Sequence, residues 1–140
     1  MKFLSKKRIE LGKGHITQYT FFEFKRFGGI WLYNWKTIDQ NRFHTHAFSS
    51  VAITLKGSYI QEVFKDGGIV LEKVKSWLVP RFLGKGYTHR ILKAAPNTWT
   101  LVFFGPWGKT WEEYFPDTNT WVTYAWGRKV ISKRQGDATT

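Results

Sequence analysis

Two histidines stand one residue apart in a short segment of the chain: Arg42-Phe43-His44-Thr45-His46-Ala47-Phe48-Ser49-Ser50. The segment is typical of a strand, which we expect over residues 43–55 with an end at Lys56-Gly57. Because alternate side chains of a strand point to one face, His44 and His46 are predicted to aim their imidazoles in the same direction.

A third histidine, His89, follows Lys85-Gly86-Tyr87-Thr88 at a later strand-like run. If the fold brings this strand alongside the first, three neutral imidazoles converge. Imidazole is a ligand that suits zinc, iron, copper and nickel, so the three histidines are candidate metal ligands. His15 lies outside this pattern and is interpreted as a surface or turn histidine.

Short strand-like runs follow one another along the chain, separated by Gly, Pro, Asn and Asp turns such as Asp66-Gly67-Gly68. No segment has a long helical period. This spacing predicts an antiparallel all-β sandwich or barrel in one domain. We place the domain at residues 15–127, after a basic N-terminal lead-in at 1–14 and before a polar tail at 128–140.

Composition narrows the classes of function. An aromatic content of 19% excludes a disordered chain, and the absence of cysteine excludes thiolate ligands and disulfides and fits a reducing cytoplasm. No signal peptide and no membrane-spanning run are expected. The net charge of +12 favours phosphates, nucleotides or nucleic acid as partners, or alternatively reflects lysines and arginines that solvate outer strand faces.

The motifs resemble those of the cupins, which are small double-sheet jelly-roll β-barrels. His44-Thr45-His46 and Gly57 resemble the first cupin motif, and Gly86-Tyr87-Thr88-His89 resembles the second. Ser50 and Val51 occupy the positions of the usual glutamate ligand, and Lys93 takes the place of an asparagine. The resemblance therefore implies a cupin fold that lacks the usual carboxylate ligand.

A narrower resemblance is to small cupin-like proteins carried by bacteriophages and prophages. It rests on Leu55-Lys56-Gly57-Ser58-Tyr59, on His89-Arg90 and on Trp99-Thr100-Leu101-Val102-Phe103-Phe104-Gly105-Pro106, and it covers roughly residues 30–126. A phage origin would place the protein in the cytoplasm of a bacterial host. This resemblance implies a fold and a site but no defined activity.

The cupin resemblance leaves open whether the site binds a metal and whether it is catalytic. A three-histidine face is similar to that of the cupin thiol dioxygenases, which implies iron, with zinc the other metal expected. Many cupins have instead lost the metal, and some use a histidine as a general base. Whether the protein is an enzyme stays open: a dioxygenase-like, isomerase-like or hydrolase-like reaction on a small anionic substrate stands beside metal-free capture of a nucleotide or other phosphorylated ligand.

Four further residues are candidate ligand-binding groups. Tyr59 and Gln61 share a face of the strand after Gly57, and Gln61 is expected near the missing carboxylate. Tyr87 is expected to orient His89 or a bound ligand. Arg42 shares a face with His44, where it either binds an anion or lies at the rim and pairs with an acidic neighbour.

Two expectations concern partners. Exposed strand edges predict a homodimer. The tryptophans are expected mainly in the core, with some at the surface as a partner interface, which keeps nucleic-acid or protein binding through a basic aromatic surface as a further alternative. No phosphate-loop pattern and no Gly-x-Ser-x-Gly nucleophile elbow occurs.

Overall fold

The computed structural model of the protein describes residues 1–11, 13–36, 38–76, 79–125 and 129–136. These residues form strands and one short 3-10 helix, and none of their helices is long and apolar enough to cross a membrane. The elements are β1 (Lys2–Leu11), β2 (Gly14–Phe24), β3 (Gly28–Trp35), β4 (Phe43–His44), β5 (Ser50–Lys56), β6 (Ser58–Lys65), β7 (Gly68–Lys75), β8 (Arg81–Leu83), β9 (His89–Ala94), β10 (Thr98–Phe104), β11 (Thr110–Phe115), the 3-10 helix Pro116–Thr118, β12 (Thr120–Ala125) and β13 (Lys129–Gln135).

The strands form two antiparallel sheets that enclose the core. The six-stranded sheet has the order β1-β2-β3-β10-β5-β8, and the seven-stranded sheet has the order β13-β12-β11-β4-β9-β6-β7. Aromatic and aliphatic side chains from both sheets, such as Trp35, Tyr59 and Ile91, pack between them. The predicted all-β double-sheet jelly roll is confirmed, although no strand pairing among the described residues joins the two sheets into one closed hydrogen-bonded barrel.

The prediction of one continuous strand over residues 43–55 is wrong. The structure has β4 and β5 there, in different sheets, and the chain crosses between the sheets from residue 45 to 49. Ala47 and Phe48 are consecutive and both buried, which a strand with only one buried face does not permit. Thr45 continues the pairing with β11 for one more residue, since its amide donates to the Glu112 carbonyl and its hydroxyl accepts from the Glu112 amide, both at 2.9 Å.

Gly57 makes the next crossing between the sheets, from β5 to β6. Its φ of +83° lies in the left-handed region, and a Cβ there would overlap the Thr98 side chain. Thr98 is fully buried and its hydroxyl accepts a hydrogen bond from the Ser58 amide at 3.2 Å. The glycine is therefore required both by the backbone conformation and by the close approach of β10.

The segments set apart as lead-in and tail both contain strands. β1 pairs with β2 from Lys2 opposite Glu23 to Leu11 opposite Gly14, which makes β1 an edge strand whose lysines and arginine oppose edge-to-edge association. β13 pairs with β12 on the edge of the other sheet, so the described part of the tail is not frayed. The predicted boundary at 127/128 lies outside the described residues, and the division into three regions stays a prediction.

Candidate metal centre

Strand register brings two of the three histidines and one carboxylate side by side. His44 on β4 is the direct partner of His89 on β9, and Glu113 on β11 is the direct partner of His44 on the other side. Directly paired residues of antiparallel strands have adjacent side chains on one face. Here that face points inward, where His44, His89 and Glu113 all line the same cavity.

The third histidine joins them from the crossing segment. The ring centroids of His44 and His89 are 4.6 Å apart, those of His44 and His46 are 5.0 Å apart, and those of His46 and His89 are 5.3 Å apart. One nitrogen from each ring lies within 4.8 Å of the others. An ion bound to all three at about 2.1 Å would hold them no more than about 4.2 Å apart, so the widest pair has to close by about half an ångström.

Two ring nitrogens in this group are buried without a hydrogen-bond partner, His46 Nδ1 and His89 Nε2. Buried polar atoms are nearly always satisfied in folded proteins, so orphaned imidazole nitrogens in a cluster of three histidines are atoms that a metal ion would satisfy. The three residues therefore fit a divalent transition metal.

Burial keeps all three imidazoles in the form that binds metal. Desolvation lowers the pKa of His44 to about 3, with His46 and Arg42 adding to the effect, and it lowers the pKa of His46 to about 4. The pKa of His89 also falls well below its usual value, first through burial and then through the two neighbouring histidines. Neutral imidazole is the ligating species, so no proton has to be displaced near neutral pH.

Gln61 lies behind His89 rather than in the open part of the cavity. Its side chain is fully buried, and its Oε1 is 2.8 Å from His89 Nδ1. Its Nε2 donates to the Tyr87 hydroxyl at 2.9 Å and to Glu72 Oε2 at 3.1 Å. Because the amide nitrogen is committed to these two acceptors, the amide oxygen faces His89, and Nδ1 carries the proton and donates it. The lone pair of His89 then lies on Nε2, toward the other histidines.

Tyr87 and Tyr59 belong to the same network. The Arg81 guanidinium donates to the Tyr59 hydroxyl at 3.0 Å, to the Tyr87 hydroxyl at 3.2 Å and to Glu72 at 3.3 Å. Tyr87 also packs edge-on against His89, with ring centroids 5.1 Å apart. Of the predicted ligand-binding residues, Tyr59 and Arg42 line the cavity, while Gln61 and Tyr87 contact its histidine wall from behind.

Arg42 combines the two alternatives that the sequence left open. Its Nε is 2.8 Å from Glu113 Oε2, so it does pair with an acidic neighbour. Its side chain also lines the cavity and is 39% exposed, which leaves guanidinium surface for an anion. Glu113 was not predicted, because nothing in the sequence indicates that β11 lies next to the histidine strand.

The cavity has a volume of about 500 Å³ and extends beyond the histidines between the two sheets. Sequence reasoning missed much of its wall, including Lys7, Glu23, Trp31, Tyr33 and Trp107. Glu23 is buried and accepts a hydrogen bond from Trp31 Nε1 at 3.0 Å. Burial, followed by the charge of Lys2, lowers the pKa of Lys7. Lys7 was missed because residues 1–14 were interpreted as a basic lead-in rather than as a strand of the sandwich.

The described tryptophans lie mainly in the core and none of them is fully exposed, so a partner interface formed by tryptophans stays a prediction. Trp31, Trp35 and Trp121 are buried, and the other described tryptophans are half-buried. The remaining two, Trp77 and Trp126, lie outside the described residues. For Trp31 and Trp35, burial follows from the demand of a thin sandwich for large apolar side chains on its inner faces, whereas Trp121 is buried in a separate cluster with Phe43 and Tyr114.

Comparison with known proteins identifies the fold. No protein-family pattern and no curated protein matches the sequence. Among solved structures, the chain is similar to the capsular polysaccharide assembling protein CapF from Staphylococcus aureus, with a TM-score of 0.55 and 14% identity over 91% of this chain and 34% of CapF. It is also similar to oxalate decarboxylase from Bacillus subtilis, with a TM-score of 0.50 and 14% identity over 76% of this chain and 28% of that one.

A Streptomyces PAC13 variant solved with uridine has a TM-score of 0.50 and 7% identity, and the match covers 72% of this chain and 75% of that one. The chain thus spans about a third or less of CapF and oxalate decarboxylase and most of the PAC13 domain. All three are cupin-fold proteins. The double-sheet jelly roll described above is accordingly the cupin fold.

Proposed function

We propose that the protein is a metal-binding cupin in which His44, His46 and His89 hold one divalent transition metal, iron or zinc. The observation that carries this proposal is the convergence of three neutral imidazoles with two orphaned buried nitrogens on one cavity wall. A three-nitrogen set leaves open positions for a substrate, which distinguishes catalytic from structural metal sites. The bound metal would supply Lewis-acid chemistry or, with iron, dioxygenase-like chemistry.

The surrounding residues favour a small anionic ligand. Lys7 and Arg42 place positive charge on the cavity wall, and Trp31 and Tyr33 offer flat apolar surfaces beside them. Glu113, which is 3% exposed, provides a carboxylate next to His44. Histidines that bind metal cannot also accept protons, so Glu113 is the group we assign as the acid–base residue if a reaction occurs.

Metal content of untagged protein tests the proposal. We expect close to one ion per chain by elemental mass spectrometry, and at least a tenfold loss in His46→Ala and in His89→Ala. The matched control is His15→Ala, because His15 lies on β2 outside the cavity and should not affect metal content. Equal metal in all four proteins, or none in the wild type after reconstitution with iron and zinc, would overturn the proposal.

A second candidate is non-catalytic capture of a nucleotide or other phosphorylated ligand in a metal-free cavity, in a protein of phage origin. Lys2, Lys7 and Lys25 line the cavity together with Arg42, and these cations give its wall a charge that suits phosphate. The PAC13 variant of the same fold was solved with uridine. Stabilisation of chelator-treated protein by uridine monophosphate, without turnover, would favour this candidate.

A further inference from the structure

The outer face of the six-stranded sheet carries an unbroken row of apolar side chains across all six strands. Register connects the row residue by residue from β1 to β8: Phe3, Phe22, Ile30, Phe103, Val51 and Phe82. A second row lies next to the first on the same face, where the next outward-pointing residue of each strand stands. It consists of Tyr19, Leu32, Leu101 and Ile53. We call these two rows the outer apolar face. Their chain neighbours Trp31, Ala52 and Val102 point the other way, into the core.

The outer apolar face is large for the surface of a single copy. Phe82 is 72% exposed, Phe3 56% and Phe103 41%. At about 200 Å² for a fully exposed aromatic ring, these three alone present roughly 350 Å². The partly exposed members of both rows bring the area toward the roughly 800 Å² per partner of a standard protein interface.

On the seven-stranded sheet, the outer aromatic residues are buried rather than exposed. Phe43, Tyr114 and Trp121 form a cluster on the outer side of the seven-stranded sheet. The Arg90 guanidinium lies 4.7 Å from the Phe43 ring centre, and that of Arg134 lies 5.0 Å from the Trp121 ring centre. This outer cluster is therefore shielded by arginines of the same chain, whereas Phe82 and Phe103 stay exposed.

Charge is confined to the rim of the outer apolar face. Lys6 lies opposite Tyr19 at the β1 end, and Lys56 lies opposite Trp99 beyond the second row. Neither row contains a charged residue, in a chain with a net charge of +12. Two such chains repel each other, and the repulsion is smallest when they meet through a face that places no like charges opposite one another, as the outer apolar face does.

We propose that the outer apolar face is the interface between two copies of this chain, packed sheet against sheet. The face is a flat sheet surface, and a second identical face matches it in shape, extent and lack of charge. Two apolar sheet faces stack about 10 Å apart in β-sandwiches, and a two-fold axis makes such a contact self-complementary. This differs from the edge pairing expected from the sequence, and it leaves the cavity on the other side of the sheet unobstructed.

Sedimentation equilibrium of the full chain tests this interface. We expect a dimer at micromolar concentrations and a monomer for Phe103→Lys, which buries two charges at the centre of the contact. The matched control is Leu71→Lys, because Leu71 is 65% exposed on β7 of the other sheet and should leave the dimer intact. The uncharged Phe103→Ser variant should weaken the dimer at least tenfold if Phe103→Lys fails to fold.

Three results would each overturn the proposal: a monomeric wild type at all accessible concentrations, dimerisation of folded Phe103→Lys with wild-type affinity, or dissociation caused by Leu71→Lys. The last result would identify the β7 side as the interface. Circular dichroism and metal content of Phe103→Lys check that the loss of the dimer is not a loss of fold, since residue 103 faces away from the histidines.

Discussion

At the scale of single residues, Gln61 determines how His89 can act. A histidine binds metal through one nitrogen only if the other carries the proton, and a hydrogen-bond acceptor held in place by the fold fixes this choice. Gln61 Oε1 is that acceptor, and it cannot flip without losing the bonds of Nε2 to Tyr87 and Glu72. The amide is thus held from three sides.

We predict that Gln61→Leu lowers metal affinity by about tenfold while the protein stays folded, because His89 loses the partner that holds its tautomer and ring orientation. Competition with a chromophoric chelator measures the affinity, and the absorption spectrum of the cobalt-substituted protein reports the ligand geometry. Loss of a buried glutamine by itself should not have this effect.

Gln18→Leu provides the comparison. Gln18 is 2% exposed, and its amide donates to Thr20 at 3.1 Å rather than to a histidine. Both variants remove a buried amide, so both are expected to cost roughly 1 kcal/mol of stability or more. If Gln18→Leu weakened metal binding as much as Gln61→Leu, a general loosening of the sandwich would explain the result and the orienting role would be refuted.

At the scale of elements, β1 turns neighbouring lysines toward opposite sides of the sheet. Lys6 lies over the Tyr19 ring on the outer side, 5.6 Å from its centre. Lys7 lines the cavity, where burial lowers the pKa of its ammonium. The alternation of a strand therefore separates a surface lysine from a cavity lysine within two residues.

We predict that Lys7→Gln weakens the binding of a small anion about tenfold and that Lys6→Gln leaves it unchanged, since only Lys7 can reach a ligand in the cavity. Isothermal titration of each variant with uridine monophosphate or citrate measures the difference. Equal loss in both variants would indicate a long-range effect of net charge, and this effect should then disappear at high salt.

The elements also explain how far the sequence could be interpreted. The histidines were predictable because residues two apart in a strand share a face, and because the motifs around His44 and His89 resemble those of a known family. The break between β4 and β5 was not predictable, since Ala47 and Phe48 extend an apolar pattern without any glycine or proline. Glu113 and Lys7 were missed because their approach to the site depends on which strands become neighbours, and a single sequence does not contain that pairing.

At the scale of the whole molecule, the fold stabilises three uncharged imidazoles between two sheets. The Arg81 guanidinium on β8 of one sheet binds Tyr59 and Glu72 on the other, so the wall behind His89 is tied across the sandwich. An ion bound by all three imidazoles would require their nitrogens to approach by about half an ångström, and we expect this side-chain rotation mainly at His44 and His46.

The stability of the metal-free protein should consequently depend on pH. The folded-state pKa values of about 3 for His44 and about 4 for His46 lie below the ordinary value of 6.5. Between the folded-state pKa values and pH 6.5, the unfolded chain binds protons that the folded chain does not. The contribution of these histidines to stability is therefore fully present above pH 6.5 and is lost as the pH falls. Each imidazole that stays neutral in the folded state lowers the free energy of unfolding by about 1.4 kcal/mol for each pH unit by which the pH falls in this window.

We therefore predict that the free energy of unfolding of chelator-treated protein falls steeply between pH 6.5 and pH 4.5, as measured by urea denaturation. The slope should be smaller in the double variant His44→Gln/His46→Gln, which removes two of the protonation sites, and unchanged in His15→Gln, whose side chain lies outside the cavity. Carboxylates titrate in the lower part of the same window in all three proteins, so the difference between variants isolates the histidines. An identical slope in the double variant would mean that these imidazoles are hydrated and protonate freely in the folded state.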